Sequence, residues 1–136
     1  MTQTVHRGSC LCGEVHFEVE GAFEHFICCH CSRCQKGTGS AHGANLFAPG
    51  GTLTWVSGED SVRTFALPST RHVRGFCSTC GAALPTLQMD GTLVVVPAGS
   101  LDEAAPLPSQ AHIFCASRAS WEDGLSQAPR FDRLPE

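Results

Sequence analysis

Apolar and polar residues alternate along Val15-His-Phe-Glu-Val-Glu20, the period of a strand with one face buried and the other in water. Short apolar runs at residues 44–48, 52–56, 62–67 and 92–96 predict further strands, because Gly50-Gly51, Ser57-Gly58, Pro68-Ser69 and Asp90-Gly91 punctuate them as turns. A short helix is predicted over residues 31–36, ended early by Gly37 and Gly39. No long stretch carries the 3.6-residue period of an amphipathic helix, so short strands and glycine turns dominate the pattern. Residues 106–136 are rich in Pro, Ser and Ala, with apolar side chains at Ile113, Phe114, Trp121, Leu125 and Phe131. That segment is expected to wrap irregularly around the rest, and Cys115 is expected in the core.

A length of 136 residues predicts a single domain over residues 1–136, able to bury about two-thirds of its unfolded surface. The first residues lack the apolar core of a secretory leader. The longest apolar runs, such as residues 93–97, fall well short of the roughly 20 residues that span a bilayer, which predicts a protein with no membrane partner. The formal net charge is -4 and the cations are scattered, with Arg71-His-Val-Arg74 the densest group. Without interleaved aromatics this is no phosphate-tracking stripe, which argues against nucleic acid as a partner. Nine cysteines, an odd number, fit the reducing cytoplasm better than a disulfide framework.

Seven of those cysteines change the picture, because they fall into three tight groups: Cys10-Leu-Cys12, Cys29-His-Cys31-Ser-Arg-Cys34 and Cys77-Ser-Thr-Cys80. Alone, the last could be a redox pair or a disulfide. Together the groups offer four plus three soft donors, which suits zinc, two ions per chain. Cys10, Cys12, Cys77 and Cys80 would form a closed structural site joining distant segments. Cys29, Cys31 and Cys34 would form a site with three protein ligands, leaving a position for water or substrate as catalytic zinc does. His30, Cys28, His42, His72 or His112 could instead close that second site. Cys28 suits this least, since it should point to the opposite face from Cys29 as a small buried hydrophobe. By the same alternation His30 should face away from the metal. Gly13 and Gly81, each following a ligand cysteine, suit the tight backbone of a metal turn.

The pieces Gly8-Ser-Cys-Leu-Cys-Gly13, Cys29-His-Cys-Ser-Arg-Cys-Gln-Lys36, Phe76-Cys-Ser-Thr-Cys-Gly81 and His112-Ile-Phe with Trp121 downstream resemble, in order and spacing, the glutathione-dependent formaldehyde-activating enzyme family, which also includes centromere protein V. The resemblance runs from about Gly8 to Trp121. It implies an all-β "β-tent" fold with two zinc sites, a structural one at the positions of Cys10, Cys12, Cys77 and Cys80 and a catalytic one at Cys29, Cys31 and Cys34. Gln35 departs from the arginine often found before the lysine in this family, and Thr38-Gly-Ser-Ala-His-Gly43 carries few bulky groups; both bear on substrate choice.

The activity implied is that of a carbon-sulfur lyase acting on S-(hydroxymethyl)glutathione or a related adduct of a small thiol and a small aldehyde. In that reading Arg33 and Lys36 pair with substrate carboxylates, and His30 hydrogen-bonds a sulfur or moves a proton. Two other readings stay open: a zinc module that binds a protein or nucleic-acid partner without catalysis, and a thiol redox protein in which Cys77 and Cys80 cycle through a disulfide. The strand edges fit a monomer or a homodimer equally.

Overall fold

A computed structural model describes residues 4–135. Its strands are β1 (Val5–Ser9), β2 (His16–Glu20), β3 (His25–Cys29), β4 (Gly43–Pro49), β5 (Thr52–Ser57), β6 (Val62–Ala66), β7 (Val73–Cys77), β8 (Ala83–Leu84), β9 (Thr86–Gln88), β10 (Leu93–Pro97) and β11 (Ala111–Ile113), with one α-helix, α1 (Ser32–Thr38), among the described residues. The expected all-β architecture is the one present.

The strands form three sheets, ordered β1-β2-β5, β11-β3-β4-β10-β9 and β6-β7-β8. Every pairing is antiparallel except β11 with β3. Alternation places Phe17 and Val19 of β2, Leu46 and Ala48 of β4, and Val94 and Val96 of β10 in one buried cluster with Val15, Phe23, Leu84, Leu101, Cys10 and Cys77. The two sulfurs in that cluster show that one cysteine group is rooted in the core.

Gly8 marks where this core leaves no room. A Cβ there would run into the Phe17 ring and lie 2.5 Å from the Ser100 carbonyl oxygen, on the edge where Gly8 bridges to Leu101. Backbone cannot yield as a side-chain tip can. Gly8→Ala is therefore expected to destabilise the fold by about 3 kcal/mol, measured as a lowered urea midpoint at unchanged slope.

Helix α1 runs through Gly37 and ends at Thr38, capped by Gly39, which adopts φ 67° and returns its N–H to the Gln35 carbonyl. Of the two glycines expected to end the helix, Gly39 does so as its left-handed cap, while Gly37 lies within it. The C-terminal segment also departs from expectation. Its apolar side chains are not buried: Phe114, Trp121 and Phe131 are 63%, 55% and 58% exposed, and Cys115 is exposed too. Backbone bonds attach the segment instead, through the β11–β3 ladder and the flanking Gln110 N–H to Phe26 carbonyl (2.8 Å) and His30 N–H to Ile113 carbonyl (2.9 Å) contacts. No helix among the described residues is long and apolar enough to cross a membrane.

Candidate metal centres

Two hairpin turns carry the first group of sulfurs. Between β1 and β2, the Cys10 N–H donates to the Val15 carbonyl (3.0 Å) and the Gly13 N–H to the Cys10 carbonyl (3.2 Å). Between β7 and β8, the Cys77 N–H donates to the Ala82 carbonyl (3.0 Å) and the Gly81 N–H to the Cys77 carbonyl (2.7 Å). Gly13 and Gly81 hold φ 82° and 76°, values that only glycine adopts without strain. The matching turns point the four sulfurs at one another, all within 4.8 Å, with Cys10 Sγ 3.6 Å from Cys12 Sγ and Cys12 Sγ 4.0 Å from Cys77 Sγ.

Four sulfurs at about 2.3 Å from a tetrahedral ion stand about 3.8 Å apart, so this group fits zinc without rearrangement. Its electrostatics call for a cation. The Ala82 N–H, then that of Cys12, help lower the Cys80 thiol to about 6. For Cys12 the Glu14 backbone pulls down, but burial and the neighbouring sulfurs prevail and push it up to about 12. Four clustered thiols therefore cannot all ionise unless a positive charge sits among them.

The second group grows from the end of β3 into α1. Cys29 closes the strand, Cys31 is the N-cap of α1, and Cys34 lies in its first turn, where its N–H donates to Cys31 Sγ at 3.4 Å. The three sulfurs also lie within 4.8 Å of one another, and no histidine nitrogen joins either group at that separation. Burial raises the Cys34 thiol, reinforced by the Cys29 and Cys31 sulfurs. Burial also opposes ionisation of Cys31, yet the backbone N–H of Cys34 and the adjacent sulfurs lower it. One thiol goes down and another up, as in the first group, so this donor set also fits a soft divalent cation.

Gly43 of β4 lies across the sheet from Cys29. A Cβ placed there would stand 3.6 Å from Cys34 Sγ and 3.6 Å from Asn45 Nδ2. Those are ordinary contact distances, so the missing side chain leaves space beside a ligand sulfur. Gly43 ends the run of small residues expected to bear on substrate choice, whereas Asn45 carries no motif. Gln35 anchors the loop below, its Nε2 donating to the carbonyls of His30 (2.8 Å) and Ser117 (2.9 Å).

The histidines offered by sequence as a fourth ligand gather elsewhere. His30 is buried, with Nε2 2.8 Å from His112 Nδ1 and its ring 5.0 Å from that of His42. His42 is held below its ordinary value by burial, then by the fields of His30 and His112. His72 stands over α1 near Gly37. Cys28 is buried against the Ser109 hydroxyl at 3.4 Å. Arg33 and Lys36 project from α1 into solvent.

The comparisons with known proteins agree with this arrangement. The sequence model of the glutathione-dependent formaldehyde-activating enzymes matches residues 5–117, which takes in all seven clustered cysteines. No functionally curated protein matches the chain significantly. Among solved structures, a crystal structure of a Rhodobacter sphaeroides protein is similar at a TM-score of 0.62 and 23% identity, over 78% of this chain and 98% of that one, a likeness of fold. With the family match spanning most of the chain and both sulfur groups assembled, the chain belongs to the glutathione-dependent formaldehyde-activating enzyme family.

Proposed function

We propose that this protein, acting as one domain in the cytoplasm, is a zinc-dependent carbon-sulfur lyase that makes and breaks S-(hydroxymethyl)glutathione or a closely related thiol-aldehyde adduct. One observation carries the reading: in a chain of this family, one sulfur group has four donors and the other three. Four thiolates complete a structural zinc, and three leave room for chemistry.

In the synthetic direction the substrate thiol gives up its proton, a carbon-sulfur bond forms at the aldehyde carbon, and the carbonyl oxygen gains a proton to become a hydroxyl. The lyase direction reverses each change. A zinc ion held by Cys29, Cys31 and Cys34 supplies a Lewis acid that keeps sulfur as thiolate near neutral pH. The cysteines are ligands, and the chain around them does the positioning. Gly43 leaves a methyl-sized space beside Cys34 that a larger side chain would fill. Gln35 fixes the Cys29–Cys34 segment against the turn that follows β11, and buried His30, paired with the more exposed His112, supports that segment from below. Arg33 and Lys36 present positive charge to an anionic thiol.

Exchange NMR between free glutathione and its hydroxymethyl adduct tests the activity, since the reaction also runs without enzyme. Acceleration above that background supports the reading. No acceleration with both zinc ions bound would leave a non-catalytic zinc module. Gly43→Val fills the gap while both sulfur groups remain, and is expected to lower the enzyme-dependent rate about 100-fold with zinc content unchanged by elemental analysis.

A further inference from the structure

Arg74 of β7 and His72 just before that strand meet α1 beside the three-sulfur group, with the exposed Arg33 close enough for its field to reach His72 and no carboxylate ion-paired to any of them among the described residues. Arg74 of β7 lies across Gly37 of α1: a Cβ on that glycine would stand 3.2 Å from Arg74 Cδ, 3.5 Å from its Nε and 3.8 Å from His72 Nε2. On the helix, Gly37 lies four residues from Arg33 and three from Cys34, and so is beside both. Arg74 therefore sits about one helical turn, about 5 Å of axis, from the ligand Cys34. The ion pairs among the described residues are Arg7–Glu18 and Arg118–Asp123, so neither Arg33 nor Arg74 has a carboxylate partner there. Arg74 is nevertheless partly buried.

Like charges brought together at a partly buried site raise the energy unless an anion joins them. His72 senses the crowding, being held below the ordinary imidazole value by burial and then by the fields of Arg33 and Arg74. A planar guanidinium on a sheet strand is suited to a carboxylate, which it can bind through two parallel N–H bonds.

We infer that Arg74, with His72 and Arg33, forms a carboxylate subsite that selects anionic peptide thiols over neutral ones, Arg74 being the specificity-determining residue. This rests on the proposed reaction at Cys29, Cys31 and Cys34. A carboxylate held over Gly37 places the thiol end of a short peptide within reach of Cys34, whereas a neutral thiol gains nothing from these side chains.

The test compares wild type, Arg74→Met and Arg74→Lys, all zinc-loaded. Met keeps the aliphatic stem lying over Gly37, and Lys keeps the charge without the fork. NMR titration with S-methylglutathione, which cannot react, reads the subsite apart from turnover; exchange rates with glutathione and with 2-mercaptoethanol read it in catalysis. The expected results are about tenfold weaker S-methylglutathione binding in Arg74→Met, an equal rise in KM for glutathione at unchanged kcat, partial recovery in Arg74→Lys, and no change with 2-mercaptoethanol. Equal losses for both thiols, or reduced zinc content in Arg74→Met, would overturn the inference and make Arg74 a counter-charge for the ligand thiolates. Unchanged S-methylglutathione binding would also overturn it. If wild type accelerates exchange of no thiol while binding still depends on Arg74, the subsite stands and the proposed reaction falls.

Discussion

Cys77→Ser is expected to lower the thermal midpoint of the zinc-loaded protein by at least about 15 °C. Cys77 is fully buried within the main core cluster and is the last residue of β7. Its sulfur is one of the four that join the β1–β2 turn to the β7–β8 turn, and Ser replaces a thiolate ligand by a poorly coordinating hydroxyl in an apolar setting. Structural zinc contributes about 10–16 kcal/mol of apparent binding energy in small peptides, against about 5–15 kcal/mol for the whole stability of a domain. Losing even about 4 kcal/mol shifts the midpoint by the stated amount, at about 4 °C per kcal/mol for this size. Circular dichroism melts measure it. A shift of about 3 °C or less would mean that the four-sulfur group does not hold the fold together.

The companion substitution should separate stability from chemistry. Cys31→Ser is expected to reduce enzyme-dependent exchange between glutathione and its hydroxymethyl adduct about a thousandfold or more, the size of effect that several kcal/mol of Lewis-acid stabilisation implies. The fold should remain, for a local reason. Cys31 caps α1 by accepting the Cys34 N–H, and Ser is among the preferred residues at that position. The change thus removes a ligand and keeps the cap. A midpoint within about 3 °C of wild type is expected, and a collapse matching that of Cys77→Ser would contradict the division between the two sites.

Both sulfur groups were legible in the sequence because each ligand pair or triplet is local, and a turn that binds metal must place its cysteines one or two residues apart. β2 and β4 were legible for a similar reason, since each alternates against one core. β3 gave no such signal. Phe26-Ile27-Cys28-Cys29 is an unbroken apolar run because both faces of the strand are covered: Cys28 is buried and Phe26, Ile27 and Cys29 are half-buried. β7 escaped notice because Arg74 and Gly75 interrupt its pattern: the glycine is required where Pro85 and Thr86 approach within 3.0 Å of its Cβ position, and the arginine turns toward α1. The apolar residues after β11 misled because hydrophobicity alone does not bury a side chain when a backbone ladder already attaches the segment. What remained illegible is non-local: the place of Gly43 beside Cys34, the His30–His112 pair and the approach of His72 and Arg74 to α1 all depend on contacts between distant segments.

On this reading one sulfur group is complete with protein ligands and the other is not. Zinc-edge X-ray absorption on the protein loaded with two zinc ions, with and without glutathione, tests it most directly. The expected average is midway between three and four sulfurs per zinc in the free protein, from one four-cysteine and one three-cysteine group, rising to four when glutathione is added. An average of four sulfurs without any added thiol, or a coordination that glutathione leaves unchanged, would contradict it.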